Sequence, residues 1–450
     1  MVSPSNSPSE VLRTGISIYY VGTYPPITCG IADYTRFLSR ESPRGKWGVL
    51  SFDLAEYGFS SDNTPAISKD PLWYGISARD GLKASTLSHG VQRLGGSSHN
   101  SVLWFQHEMG IWPDTKQLLN MISGIDTPVV ITFHTLHFQS NETPEGLRRN
   151  EVHLLDEILP KVQAVTVFSR GVYNAVIRAF PTHTSKIHMI RHGIHSFPEV
   201  SRLSRKEARE QLNDYLLYES SLDKSIKETI HRQSLFSEQD SIIIGQTGFL
   251  CPNKLSESLY VVRDRLQEMV PHRRISAVRI GSPRDEVQDV YAREFRARNG
   301  VNDRYFLELL LPPDILPLAQ RAFDINFYWP KECTQSGILA HALGTGAIVA
   351  GRDLEGVGET LKESGELVDK YIDNILFKIR TVILNPDIAE AIEESALDYS
   401  TEYSWSKQVR KHYQLAEDLL SQLAPVGNTP LYQWIPPDKS NRRFALENVL

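Results

Sequence analysis

The sequence predicts two doubly wound α/β domains, each built on a parallel sheet, and three observations predict it. Apolar strand patterns alternate with helical periodicities through both halves of the chain, the order that leaves a parallel sheet covered on both faces. At 450 residues the chain exceeds one ordinary core, and two units of about 200 residues each are the natural division. Two glycine-punctuated loops, one in each half, sit where a strand hands over to a helix.

Residues 1–14 begin with MVSPSNSPSE, a polar stretch that reads as a disordered lead-in. A first Rossmann-like domain spans 15–200. Its strand Ile16–Val21 runs into Gly22-Thr23-Tyr24-Pro25-Pro26 and then Cys29-Gly30-Ile31-Ala32-Asp33, with a helix over Ala32–Ser39. Ser101–Gln106 is a strand ending at His107-Glu108, and Pro128–Phe133 a strand ending at His134. Val152, Leu154, Leu155, Ile158 and Leu159 recur at helical spacing and predict a helix over Glu151–Gln163. Strand Ala164–Phe168 precedes Ser169, a natural N-cap, and strand Lys186–Ile190 ends at Arg191-His192-Gly193.

Residues 201–240 are rich in Lys, Arg, Glu and Gln with scattered leucines, and read as a charged helical insert or linker. The alternation resumes over 241–424, the second Rossmann-like domain. Strand Ser241–Thr247 leads to the loop Gly248–Lys254 and a helix over Ser256–Val270. Strands Ile275–Ile280, Tyr305–Leu309 and Asp324–Trp329 alternate with helices Asp285–Arg298 and Asp314–Phe323. The second glycine loop is Glu332-Cys333-Thr334-Gln335-Ser336-Gly337, followed by helix Ser336–Leu343 and strand Ala347–Ala350. Helices near Tyr371–Leu384, Pro386–Asp398 and Ser404–Leu423 close this domain, and the tail 425–450, with Trp434-Ile435-Pro436-Pro437, is apolar enough to pack back.

Composition narrows the function. Hydrophobic residues at 41% and charged residues at 23% are those of a soluble globular protein. A net charge of −6 argues against a nucleic-acid partner, which needs a basic surface. No apolar run reaches membrane-spanning length, and the start lacks the basic-then-apolar order of a signal peptide, so a cytoplasmic address is expected, with peripheral membrane contact left open. Three cysteines, Cys29, Cys251 and Cys333, fit a reducing compartment without structural disulfides. Each follows a strand and all three can face one cleft; small loop residues without chemistry are the plainer reading, and a metal or redox cluster the other.

Ligands of doubly wound sheets bind outside the carboxyl ends of the strands. His107, His134, the Gly30 loop, Lys254 and the Glu332–Gly337 loop all lie at such ends, and they converge only if the domains face one another. Glycine removes the Cβ that would keep a phosphate from backbone N–H groups and a helix N-terminus. One loop in each half therefore points to a ligand gripped between two domains.

At this point the residues resemble a known group. VGTYPPITCGIADYT, QHEMGIW, ITFHTLH, TVFSRGV and IRHGI resemble successive N-domain motifs of retaining, nucleotide-sugar-dependent glycosyltransferases, most closely family 4 enzymes with the GT-B fold. TGFLCPNK, DINFYWPKECTQSGILAHALGTGAIVA and GVGETLKESGELV resemble their donor-binding half, in a bacterial branch with a QSG- or TSG-type donor loop. The matches run in order over roughly residues 16–370.

The resemblance implies roles. His134 lies close to the transferred sugar, bonding a hydroxyl or supporting charge at the anomeric carbon. Lys254 meets the donor diphosphate, where negative charge builds as the sugar leaves. Its usual partner arginine is not evident, because Phe249 follows Gly248. Glu332 stands near the first of two motif glutamates. The place of the second holds Ala340 or His341, and a register anchored on Ala342–Gly346 puts Cys333 at the first. These give His134, Lys254 and Glu332 as catalytic residues, and Gly22, Gly30, Gly248, Asn253, Lys254, Thr334, Gln335, Ser336 and Gly337 as donor-binding ones. His107 and Glu108 are read as positioning a loop or the acceptor.

The implied activity is transfer of a hexosyl group, mannose or glucose, from a nucleotide diphosphate sugar to a hydroxyl acceptor with retention. The acceptor is a carbohydrate, a lipid-linked molecule or a small molecule. No Asp-x-Asp motif is positioned for a metal-bound diphosphate, so no metal and no cofactor beyond the sugar nucleotide are expected. Two alternatives stay open: a catalytically silent sugar-nucleotide-binding or assembly subunit of the same fold, and a sugar-nucleotide epimerase. A phosphorylase dependent on pyridoxal phosphate would need a Schiff-base lysine in a recognisable setting, and none is present.

Overall fold

The computed structural model describes residues 15–59, 70–97, 100–112, 114–238 and 240–423. The lead-in at 1–14 and the tail at 425–450 lie outside the described residues. Two parallel sheets organise the chain. The first has strands β1 (Ser17–Val21), β2 (Trp47–Phe52), β3 (Leu72–Ile76), β4 (Ser101–His107), β5 (Val129–Phe133), β6 (Ala164–Val167) and β7 (Ile187–Met189), in the spatial order β3-β2-β1-β4-β5-β6-β7. The second has β8 (Ile242–Thr247), β9 (Ile275–Ile280), β10 (Arg304–Leu307), β11 (Ile325–Tyr328), β12 (Val349–Arg352) and β13 (Leu367–Asp369), in the order β10-β9-β8-β11-β12-β13. Strand order reverses between β1 and β4 and again between β8 and β11. These are the two places where a doubly wound sheet opens a crevice at its carboxyl edge.

The central strands are buried along their whole length, as strands covered by helices on both faces must be. β2 and β3 were not anticipated. WGVLSF interrupts its apolar run with Gly48 and Ser51, and β3 is an edge strand that stays largely half-buried, so neither shows a clean period. The helix expected to reach Gln163 stops at Ile158, because Pro160 cannot donate the next helical hydrogen bond. Ser169 does cap its helix, its hydroxyl accepting from Val172 N at 3.3 Å.

Two segments cover faces that the sequence reading did not give them. Residues 201–240 present more than a charged insert. Helices Arg205–Asp214 and Lys224–Arg232 bury Ala208, Leu212 and Ile230 against Ile243, Val278 and Tyr305 of the second sheet. Truncating a fully buried residue such as Leu212 to alanine costs about 2–5 kcal/mol. The helix Trp405–Leu423, expected to close the second domain, crosses back to the first. Its residues Val409, Tyr413, Ala416 and Leu419 share a core with Ile18, Tyr20, Leu38 and Trp104. Their spacing of three or four residues makes one apolar stripe, and the helix Gly30–Glu41 shares that face of the sheet around β1 and β4. The Tyr413 hydroxyl donates to Lys46 O at 2.8 Å.

The domains meet through carboxylates of the second held by the first. Glu355 accepts from Phe138 N and Gln139 N at 2.9 and 3.2 Å. Glu359 accepts from Arg170 N and Gly171 N at 2.7 and 2.9 Å, closing the N-terminus of helix Arg170–Ala179. Buried Arg191 pairs with Glu359 and Glu363 at 2.6 and 2.5 Å. The carboxyl edges of the two sheets therefore confront each other across a closed cleft.

Candidate functional site

The first glycine loop leaves β1 and the second leaves β11, beside the Gly248–Lys254 loop that leaves β8, so all three start at the strand-order reversals. Gly22 follows β1 with φ +155°, and a Cβ there would sit 3.2 Å from Gln106 Cβ. Gly248 follows β8 with φ +102°, where a Cβ would stand 3.1 Å from Lys254 Nζ and 3.2 Å from Ile338. Side-chain-free backbone is thus what lets Lys254 lie across the end of β8. Gly30 and Gly337 face open space.

The loop after β8 is a concentration of unbalanced positive charge. Burial, reinforced by Arg279, pushes Lys254 down to about 8. Arg279 is completely buried. It donates to the carbonyls of Gln246, Gly248, Phe249 and Ile280 and to Ser256 Oγ. Burial lowers it to about 10. Arg284, exposed on the loop after β9, places its guanidinium carbon 3.1 Å from the centroid of the Phe249 ring. Among the described residues none of these three cations has a carboxylate partner, although most other buried or half-buried arginines do. Sequence reasoning named Lys254 and missed Arg279 and Arg284, which carry no motif signal in RIGSPRDE.

The second glycine loop is tied to the Gly248–Lys254 loop that follows β8. Asn253 Nδ2 donates to Glu332 O at 2.8 Å, and Lys331 N donates to Asn253 O at 2.8 Å. The Glu332 carboxylate turns to the other domain, where Arg148 and His137 Nε2 donate to it. Partial burial pushes its pKa up, yet Arg148 and His137 hold it below the ordinary carboxylate value. Thr334 donates to His134 O at 3.3 Å, Gln335 packs against Gly356, and Ser336 Oγ caps helix Gly337–Gly344 by accepting from Leu339 N. A narrow cavity between the domains is lined by Phe168, Arg191 and His192 from one side and Gln335, Ser336 and Leu339 from the other.

On the first domain His134 is buried, its Nε2 2.8 Å from Gln106 Oε1 and its ring edge-on to Tyr34 at 4.6 Å and Phe168 at 5.2 Å. Burial lowers its pKa far below 6.5, so the ring is neutral. His107 packs on Phe133 and is lowered to about 4 by burial. Glu108 accepts from Met109 N and the Thr135 hydroxyl, which ties it to the loop beside His134. Burial raises its pKa. At the disputed second-glutamate position, Ala340 packs into the core of the second domain, while His341 stacks on His195 with centroids 4.0 Å apart. Burial lowers His341 to about 4, and its Nδ1 is buried without a hydrogen-bond partner among the described residues.

All three cysteines are free. Cys29 caps helix Gly30–Glu41, accepting from Ala32 N at 3.3 Å, while the Cys333 thiol donates to Gln335 O at 2.9 Å. Among the described residues no group of three His, Cys, Asp or Glu side chains is arranged to hold a metal ion, and no helix is long and apolar enough to cross a membrane. A larger concavity lies at the opposite, amino ends of the first sheet's strands, lined by residues such as Ser17, Arg44 and Asn100. It faces away from the strand ends where these sheets bind ligands.

No family model matches the chain, and no curated protein matches it. Solved structures do resemble it. HepE from Anabaena in complex with UDP superposes with a TM-score of 0.59 at 12% identity, over 90% of this chain and 100% of that one. An α,α-trehalose-phosphate synthase (UDP-forming) from Burkholderia vietnamiensis gives 0.62 at 12% identity, over 92% and 100%. Sucrose-phosphate synthase from Thermosynechococcus elongatus gives 0.62 at 13% identity, over 90% and 100%. At such identity the likeness is one of fold: two facing Rossmann-like domains, the GT-B arrangement.

Proposed function

We propose that the chain is a nucleotide-sugar-dependent glycosyltransferase that moves a hexosyl group to a hydroxyl acceptor. The observation that carries this reading is the set of three cations without carboxylate partners, Lys254, Arg279 and Arg284, gathered at the strand-order reversal of the second sheet. The uncompensated buried charge of Lys254 and Arg279 is costly, and a diphosphate is the anion that a glycine loop at this edge is shaped to receive. The neighbours include HepE with UDP bound and synthases named as UDP-forming, so UDP-glucose is the first donor to test.

In this reading the leaving diphosphate gathers negative charge that Lys254 meets directly. Arg279 acts through the carbonyls it clamps and through its own charge, fixing the loop before reaction begins. Neutral His134, beneath Tyr34, offers a ring nitrogen to a sugar hydroxyl. The carboxylate contacts of Glu355 and Glu359 close the domains and keep water from the donor. Retention, independence from metal, and mannose or glucose as the sugar follow the motif resemblance.

The test is calorimetric titration of the protein with UDP, GDP, ADP and their glucose and mannose conjugates in chelator, followed by acceptor screening for nucleotide release. One nucleotide should bind, and Lys254→Ala should lose it. Failure of all of them to bind would sink the reading. A silent binding subunit is the second reading, favoured by the engagement of Glu332 with Arg148 and His137 and by Ala340 or His341 standing where a second glutamate is expected. Tight nucleotide binding with no turnover on any acceptor would select it.

A further inference from the structure

We propose that Arg284, seated on the Phe249 ring, is the second diphosphate-binding cation of the cleft, supplied from the loop after β9 instead of the loop after β8. The proposal rests on the donor reading above and assigns a residue that the motifs do not. Phe249 occupies the place where a basic residue was sought, and an aromatic ring cannot bond phosphate. Its face instead carries the Arg284 guanidinium at 3.1 Å. Stacking of this kind uses the flat face of the guanidinium and leaves its N–H edges free for a planar, bidentate acceptor.

Those edges are unspent. Among the described residues the only hydrogen bond from Arg284 is its backbone N–H to Gln288 Oε1 at 3.0 Å, and its guanidinium has no carboxylate partner. The position is also fixed. Leu250 N donates to Ser282 O at 3.3 Å, and Arg279 clamps Gly248 O and Phe249 O at 2.8 Å each, so the two loops are one unit. Asp285 caps the following helix by accepting from Gln288 N at 2.8 Å, which anchors the far side of Arg284. Arg284 is within electrostatic range of both sides of the cleft. Its charge helps to lower Lys254, and it feels Asp33 and Cys29 at the start of the first domain's glycine-loop helix. A diphosphate lying between Lys254 and that helix would have Lys254 on one phosphate and Arg284 on the other.

The experiment is isothermal titration of the full chain and of R284Q, R284K and F249L with inorganic pyrophosphate, UDP, GDP, ADP and the matching nucleoside monophosphates, with melting temperatures as a folding control. Arg284 is exposed, so R284Q and R284K should melt as the wild type does. R284Q is expected to weaken pyrophosphate and the preferred nucleoside diphosphate by roughly tenfold to a hundredfold, the value of a charge-assisted hydrogen bond. The monophosphate should change far less, R284K should recover part of the loss, and F249L should show a smaller loss. Unchanged affinity of R284Q, with the wild type binding both ligands, overturns the proposal and leaves the donor reading intact. Wild type that binds pyrophosphate and no nucleotide, with the loss in R284Q, supports the role of Arg284 and overturns the donor reading. Wild type that binds neither overturns both.

Discussion

His137 and Glu332, 195 residues apart, meet across the cleft, with the imidazole Nε2 3.1 Å from a Glu332 carboxylate oxygen. The other ring nitrogen lies 2.6 Å from buried Glu151. Burial alone would lower His137, but Glu151 raises it above its ordinary 6.5. Burial pushes Glu332 up, and Arg148 and His137 bring it below its ordinary 4.5. A raised histidine contributes its stability in full below pH 6.5 and loses it as pH rises through the folded-state value. A lowered carboxylate contributes above pH 4.5 and loses it as pH falls through its own folded-state value. The contact is therefore strongest from pH 4.5 to 6.5. Domain separation, followed by resonance energy transfer between labelled domains, should loosen as pH rises past that window. His137→Gln should flatten the profile, and a profile identical in both proteins would rule the contact out as the cause.

Lys254 predicts a proton signature. With its pKa lowered to about 8 it is only partly charged at that pH, and a bound diphosphate restores the charge. Binding of a nucleoside diphosphate at pH 8 should therefore take up a fraction of a proton. The slope of calorimetric enthalpy against buffer ionisation enthalpy measures it. Lys254→Arg should abolish the slope, since arginine is charged throughout. A zero slope in the wild type would mean that Lys254 does not meet the ligand.

Glu359 holds two amides and Arg191 at once. Glu359→Ala should cost about 1–3 kcal/mol, the penalty of leaving buried donors unmet. Hydrogen exchange at Arg170 and Gly171 should accelerate with it, because those N–H groups lose their acceptor. Protection unchanged at both amides would show that the cleft is open in solution.

Tyr413 predicts a loss in the first domain from a change near the end of the chain. It is completely buried, and Tyr413→Ala should cost about 3–5 kcal/mol in chemical denaturation, as for other large aromatic truncations. Tyr413→Phe removes only the bond to Lys46 O and should cost about 1 kcal/mol. Equal effects of the two variants would contradict the packing.

Strand-helix alternation was readable because β1, β4, β5, β8 and β9 each carry a mostly apolar run, and glycines mark the loops at both strand-order reversals. β2 and β3 hid because Gly48, Ser51 and Gly75 break their pattern. The crossing of Trp405–Leu423 was invisible because an amphipathic stripe does not say which sheet it covers. At the site, Lys254 and the Ser336 cap could be read from their local context. Arg279 and Arg284 could not, since their meaning comes from Gly248 and Phe249, some thirty residues away and brought near only by the pairing of β8 with β9. The partner of Glu332 was equally hidden, because Arg148 belongs to the other domain.

The bond from Tyr413 to Lys46 spans 367 residues, and it has a consequence for biosynthesis. As the chain leaves the ribosome, Ile18, Tyr20 and Trp104 emerge early, while the helix that shares their core is still untranslated. Domains otherwise fold in the order they are made, but here that surface, covered on one side by the helix Gly30–Glu41, stays open on the other until synthesis has passed Leu419. The half of the protein that is born first is the half that is finished last.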